Sequence, residues 1–195
     1  MDEQTINPEQ SLQLIQSMIR RAQNNLSENG FLFIFWGWLV FIASLTFYFL
    51  TRAGFENAWL VWMLMPAGGI FSGIYGYMQQ KKEKVKSYVD QYMGYIWTAF
   101  GISLLIVLGM GYKLQLHCYP MVIMLYAIAT FITGGIIRFI PLVVCGSLSF
   151  IICVFAFFVN FETQVLLVAL SVLVSYIIPG HWLQIKFKQQ SNHGA

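Results

Sequence analysis

Six apolar segments of roughly twenty residues fill most of this chain, and none carries an acid or a base in its middle. They cover residues 31–50, 58–77, 93–112, 120–137, 142–159 and 164–182. At about 1.5 Å of rise per residue, roughly twenty helical residues cross a hydrocarbon core of about 30 Å. The solvent of this protein is therefore expected to be lipid. Composition agrees, because 58% of the 195 residues are apolar and 10% are charged, where a soluble domain would carry about 25% charged residues.

The segments leave an N-terminal stretch of 1–30, short loops and a basic tail of 183–195. No loop is long enough for a second folded unit, so 31–182 reads as one membrane domain. Its orientation follows from the basic residues. Arg20, Arg21, Lys81, Lys82, Lys84, Lys86, Arg138, Lys186 and Lys188 fall on one side, nine of the eleven, with Arg52 and Lys113 on the other. The positive-inside bias places both termini in the cytoplasm, and an even number of crossings agrees. The expected architecture is all-α: a polytopic membrane protein of six transmembrane helices, N-in and C-in. The first apolar segment is too long for the core of a signal peptide, and no small-x-small cleavage site follows it.

The N-terminal stretch predicts a cytoplasmic amphipathic helix. Asn7 serves as N-cap, Pro8 takes the first helical position and Gln10 follows three residues after the cap. Leu12, Ile15, Met18, Ile19, Ala22 and Leu26 share one face at 100° per residue, with polar residues opposite. Such a face lies in the headgroup region or docks on a protein surface. The inner loop adds Lys81, Lys82, Lys84 and Lys86. A juxtamembrane cluster of this kind attracts anionic lipid at about 1 kcal/mol per basic residue. Nucleic acid is not an expected partner, since no soluble domain presents the patch.

Aromatic residues mark the two interfaces. Tyr48, Trp59, Trp62, Tyr112 and Tyr119 gather on the outer side, and Tyr75, Tyr77, Tyr92, Tyr95, Trp97 and Trp182 on the inner. Small residues predict where helices meet: Gly69, Ser72, Gly73 and Gly76, then Gly94, Thr98 and Gly101, then Ala127, Thr130 and Gly134, then Gly146, Ser149, Cys153 and Ala156. These stripes allow close approach of helix backbones, within the chain or between two copies of it. Pro66 and Pro179 are expected to kink or end their helices.

Chemistry is harder to find. Ionisable groups inside a membrane mark transport or catalysis, and the polar residues at depth here are hydroxyls. These are expected to bond backbone carbonyls one turn back. His117, His181 and His193 are scattered, Cys118, Cys145 and Cys153 form no CxxC pair, and no metal or cofactor motif is present.

Three stretches together resemble a family of small, multi-span bacterial inner-membrane proteins of uncharacterised function. They are Phe35-Trp36-Gly37-Trp38, the run from Leu125-Tyr126-Ala127 through Ala129-Thr130-Phe131 and Gly134 to Phe139, Pro141 and Leu142, and Tyr176-Ile177-Ile178-Pro179-Gly180-His181. The resemblance implies a multi-pass protein of the bacterial cytoplasmic membrane and transfers no activity, ligand or catalytic residue. In the family's usual pattern a second glycine takes the place of Cys145.

The leading expectation is a non-enzymatic regulatory or scaffold component. It would engage membrane lipid, a cytoplasmic protein or a second copy of the chain through Leu12, Ile15, Ile19, Leu26 and the lysine loop. The alternative is a small transporter or channel for an apolar or weakly polar solute, lined by Ser72, Thr98 and Thr130. An enzyme acting on lipid would need His181, Arg138 and Asp90 to converge at the inner interface.

Overall fold

The computed structural model describes residues 31–80 and 88–192. The predicted amphipathic helix and the lysine cluster of 81–86 therefore lie outside the described residues. The elements are α1 (Phe31–Arg52), a 3-10 segment Ala58–Met63 leading into α2 (Leu64–Gln80), α3 (Tyr88–Gly109), short turns Gly111–Leu114 and Gln115–His117, α4 (Cys118–Ile136) and α5 (Ile140–Ala156). The chain closes with α6 (Phe161–Val172), a π-helical turn Leu173–Ile177 and α7 (Ile178–Asn192). All regular structure among the described residues is helical.

Five helices are long and apolar enough to cross a membrane: Phe31–Arg52, Ala58–Met78, Gln91–Gly109, Gly111–Ile136 and Phe161–Ile185. The fifth expected segment is a shorter apolar helix of 17 residues. Its end is set by the next helix. Asn160 is the N-cap of α6, accepting from the Thr163 backbone N–H at 3.1 Å. The reversal into that cap takes Phe157, Phe158 and Val159 out of helix.

The tight turn between α4 and α5 has a local cause. Phe139 N–H donates to the Gly134 carbonyl at 2.9 Å and Arg138 N–H to the Gly135 carbonyl at 3.2 Å. This is a Schellman termination, with Arg138 left-handed at φ 53°. Pro141 then sits in the first turn of α5, where its missing N–H has no helical partner to lose. Pro66 sits likewise near the start of α2.

Beyond this turn α5 runs antiparallel along α4. A Cβ on Gly134 would lie 2.7 Å from the Val143 nitrogen, and one on Gly146 would lie 2.8 Å from the Phe131 nitrogen. Further along, the Cys153 thiol donates to the Pro120 carbonyl at 3.3 Å. The hairpin thus stays closed from the turn at Arg138 to the first residues of α4.

α1 crosses the last helix at close range. A Cβ on Gly37 would fall 2.9 Å from Ile177 Cγ1 and 3.1 Å from Tyr176 Cβ, and one on Gly180 would fall 2.8 Å from Ile34 Cγ1. α2 leans on α1 through Gly68, which faces Leu39 and Trp36, and through Trp36 Nε1–H donating to Ser72 Oγ at 2.9 Å. The main core joins Phe33 and Val40 of α1 to Val122, Ile123 and Tyr126 of α4, Cys153 and Ala156 of α5, and Val168, Val172 and Tyr176.

Trp97 is partly buried against the core, edge-on to Phe33 at 5.3 Å and near Tyr176 at 6.3 Å.

The left-handed Arg138 gives a direct test. A side chain with a Cβ is disfavoured there by about 1–2 kcal/mol, whereas glycine is not. Arg138→Gly is expected to raise the apparent Tm in detergent by about 2–4 °C, read by thermal denaturation.

Candidate functional site

The π-helical turn has an identifiable origin. Pro179 has no N–H to offer the Ser175 carbonyl one turn back, and its ring crowds that carbonyl. The helix widens just before it, so that Ile178 N–H donates to the Leu173 carbonyl, five residues back. The helix then continues through Pro179 and is not ended there.

This widened turn holds Ser175, Tyr176 and Ile177 inside the bundle. Tyr176 is the hub of an aromatic cluster. Its ring lies 5.2 Å from Phe33 and 5.2 Å, edge-on, from Tyr126, which in turn meets Phe100 at 5.2 Å. Aromatic pairs in such geometry contribute about 0.5–1.5 kcal/mol each beyond their burial. Ser175 Oγ hydrogen-bonds Ser149 Oγ, tying the turn to α5.

Around this centre lies a set of fully buried hydroxyls from four elements: Ser44 on α1, Thr130 and Thr133 on α4, Ser149 on α5, and Ser171, Ser175 and Tyr176 on the last helix. Thr130 is within reach of the Tyr176 hydroxyl. Yet Ser44 Oγ, Thr130 Oγ1, Thr133 Oγ1, Ser171 Oγ and Tyr176 Oη make no hydrogen bond. The expectation that hydroxyls bond their own helix holds for Thr51, which donates to the Phe47 carbonyl at 2.8 Å, and for Ser147, which donates to the Val143 carbonyl at 3.0 Å. It does not hold for these five, which lie in interhelical seams where burial is complete. The chemistry of such a set is neutral donation and acceptance.

Gln164 is a further polar residue that the sequence reading gave no role. It is buried, and its Nε2 donates to the Ala156 carbonyl at 3.0 Å and the Val159 carbonyl at 3.2 Å. It thereby closes the C-terminal end of α5. At the end of α1 Arg52 lies over the Tyr48 ring and donates to its hydroxyl at 3.0 Å, with Glu162 at 4.0 Å. Arg52 and Glu162 are exposed, and ion pairs of this kind contribute little.

Leu12, Ile15, Ile19, Leu26, Lys81, Lys82, Lys84 and Lys86 lie outside the described residues. Of the packing glycines, Gly134 and Gly146 sit in the α4–α5 seam, while Gly69, Gly73, Gly76, Gly94 and Gly101 have no other element among the described residues within 4 Å of a would-be Cβ. On α2 the inward face is Gly68 and Ser72, one residue before the pair Gly69 and Gly73. Because Gly68 and Gly69 are adjacent and both have a small residue four positions on, composition cannot tell which face turns inward. Gly37 and Gly180 carry the α1 crossing, and the only sequence signal for them is their place in two of the three stretches quoted above.

The hydroxyls imagined as a solute path are not brought together. Ser72 is engaged by Trp36, Thr98 is exposed and Thr130 is buried in the core. His181 Nδ1 is 2.9 Å from the Ile177 carbonyl of its own helix, and Arg138 is exposed on its turn. The side chain of Asp90 is outside what is described. Among the described residues no three of His, Cys, Asp and Glu come together.

The two kinds of glycine predict a contrast. Gly134→Ala and Gly146→Ala each place a methyl against backbone and are expected to destabilise by about 1–3 kcal/mol. Gly69→Ala and Gly73→Ala, with open space around them, are expected to be neutral or slightly stabilising. Unfolding in detergent micelles, monitored by circular dichroism, reads both. Compared with known proteins, the chain matches no protein-family model, no curated protein and no solved structure.

Proposed function

We propose that this protein is a non-enzymatic regulatory or scaffold component of a bacterial cytoplasmic membrane. In this reading it crosses the bilayer six times, with both termini in the cytoplasm. It engages a protein partner or the membrane surface through the amphipathic helix of Leu12, Ile15, Ile19 and Leu26 and through the lysines at 81–86.

The observation that carries the reading is the uneven burial of the helices. About half of the α4 span and of the last span is buried, whereas almost nothing of the α2 span and nothing of the α3 span is. The basic loop therefore connects two peripheral helices, α2 and α3, which rest on the core through partly buried side chains and leave their remaining apolar surface open to lipid or to another helix. The centre, by contrast, is filled by the rings of Phe33, Trp97, Phe100, Tyr126 and Tyr176. A filled centre with open peripheral helices suits a protein that presents surfaces better than one that passes solutes.

A sixth crossing is supported by the hairpin. α5 begins beside Gly134 near the inner end of α4 and has Cys153 beside Pro120 at its outer start. A helix that accompanies α4 over that length crosses what α4 crosses. Its 17 residues span about 25 Å, close to a hydrocarbon core.

Topology is checked by reporter fusions. A fluorescent protein joined after Ala195 is expected to glow, and alkaline phosphatase inserted at Lys113 is expected to be active, because only the latter position reaches the periplasm. The reversed pattern refutes the orientation. For function, the double substitution Ile15→Asp and Ile19→Asp is expected to release proteins that co-purify with the unaltered chain from native membranes, leaving the bundle folded. If the same proteins, or lipid alone, accompany both forms, the scaffold reading falls.

A further inference from the structure

The buried hydroxyls around the π-helical turn carry more donors and acceptors than the protein itself satisfies. Thr130 Oγ1 and Tyr176 Oη interact with one another, but neither makes a hydrogen bond of full geometry, so each keeps a proton to give and lone pairs to fill. The Ser149–Ser175 pair beside them uses one of its two protons, so the second is still available. Thr133 repeats the situation three residues further along α4, and Ser171 one turn before Ser175. Gly37 opposes Ile177 and Gly180 opposes Ile34, and the same antiparallel register brings Ser44 to about the level of Ser171. In this register the buried hydroxyls fall at successive levels of the bundle, as the rungs of a ladder would, and all are closed off from the surface.

We infer that this ladder binds ordered water, anchored by Thr130 Oγ1 and Tyr176 Oη. Buried polar groups left unmatched by protein are regularly bridged by water that makes about three hydrogen bonds. Water fits the chemistry, being small, neutral and able both to donate and to accept at each rung. An ion would find no charged or carboxylate ligand among these side chains. The local structure fits as well, since a π-helical turn is wider than an α-turn and such turns recur at functional positions. The site makes the bundle centre polar along one line while the aromatic rings keep the remainder apolar. It does not depend on which partner the cytoplasmic face engages.

The test uses the full chain in nanodiscs and radiolytic footprinting, in which ordered water beside a side chain supplies the radical that oxidises it. Tyr176 is expected to be oxidised several-fold faster than Phe47, which is comparably buried but lies in an apolar cluster at the other end. Thr130→Val keeps the side-chain shape while removing one anchor. It is expected to slow Tyr176 oxidation several-fold and to lower the apparent Tm by about 2–4 °C, as loss of one buried hydrogen-bonding partner does in a chain of this size. A dry ladder gives the opposite sign, because valine then removes an unmet hydroxyl and the protein becomes more stable. Tyr176 as inert as Phe47, or a Thr130→Val protein that is more stable with unchanged Tyr176 oxidation, overturns the inference. If Thr130→Val does not assemble, the footprint of the unaltered chain decides by itself.

Discussion

The bundle closes where α1 crosses the widened turn of the last helix. Lipid tails are as apolar as leucine, so helices inside a membrane gain little from hiding apolar surface against one another. They associate through close van der Waals contact and through the few polar bonds available. At this crossing Gly37 admits Ile177 and Tyr176, and Gly180 admits Ile34. That approach sets Tyr176 beside Phe33, and Tyr126 then meets Tyr176 from α4. The aromatic cluster, the Ser149–Ser175 bond and the ladder of hydroxyls all follow from the position of this one turn.

Proline is the device that positions it. Without the N–H of Pro179 the helix cannot keep a regular ladder, and the extra backbone room appears within the turn before it. Three separate stretches of the chain meet here. The Trp-Gly-Trp stretch contributes Gly37, the α4 stretch contributes Tyr126 and Thr130, and the closing stretch contributes Tyr176, Pro179 and Gly180. In the chain they lie far apart, and in space they form one joint.

Some of this was legible before any coordinates. The length and uniformity of the apolar runs predicted helices that cross lipid, and five of the described helices are long and apolar enough to do so. Gly134 and Gly146 read as packing residues, and they lie in the tightest seam. The α2 stripe read equally well but has no other element among the described residues beside Gly69, Gly73 or Gly76. Glycine spacing shows that two backbones could approach, not that a second helix is there. Trp97 read as an interface residue from its type, and its ring also packs against Phe33 at the edge of the core.

What the sequence determined by itself is therefore local and solvent-driven. Hydrophobic length, the proline at α7, the cap at Asn160 and the glycine-rich end of α4 each act within a turn or two of the chain or against the bilayer. Tertiary structure alone decided which of two adjacent glycines on α2 turned inward, which helices became peripheral, and which hydroxyls lost access to their own carbonyls. The physical reason is that lipid treats all apolar faces alike, so an amphipathic pattern cannot mark the inner face of a membrane helix. Only the shape of the neighbouring helix can, and that shape exists once the chain has folded.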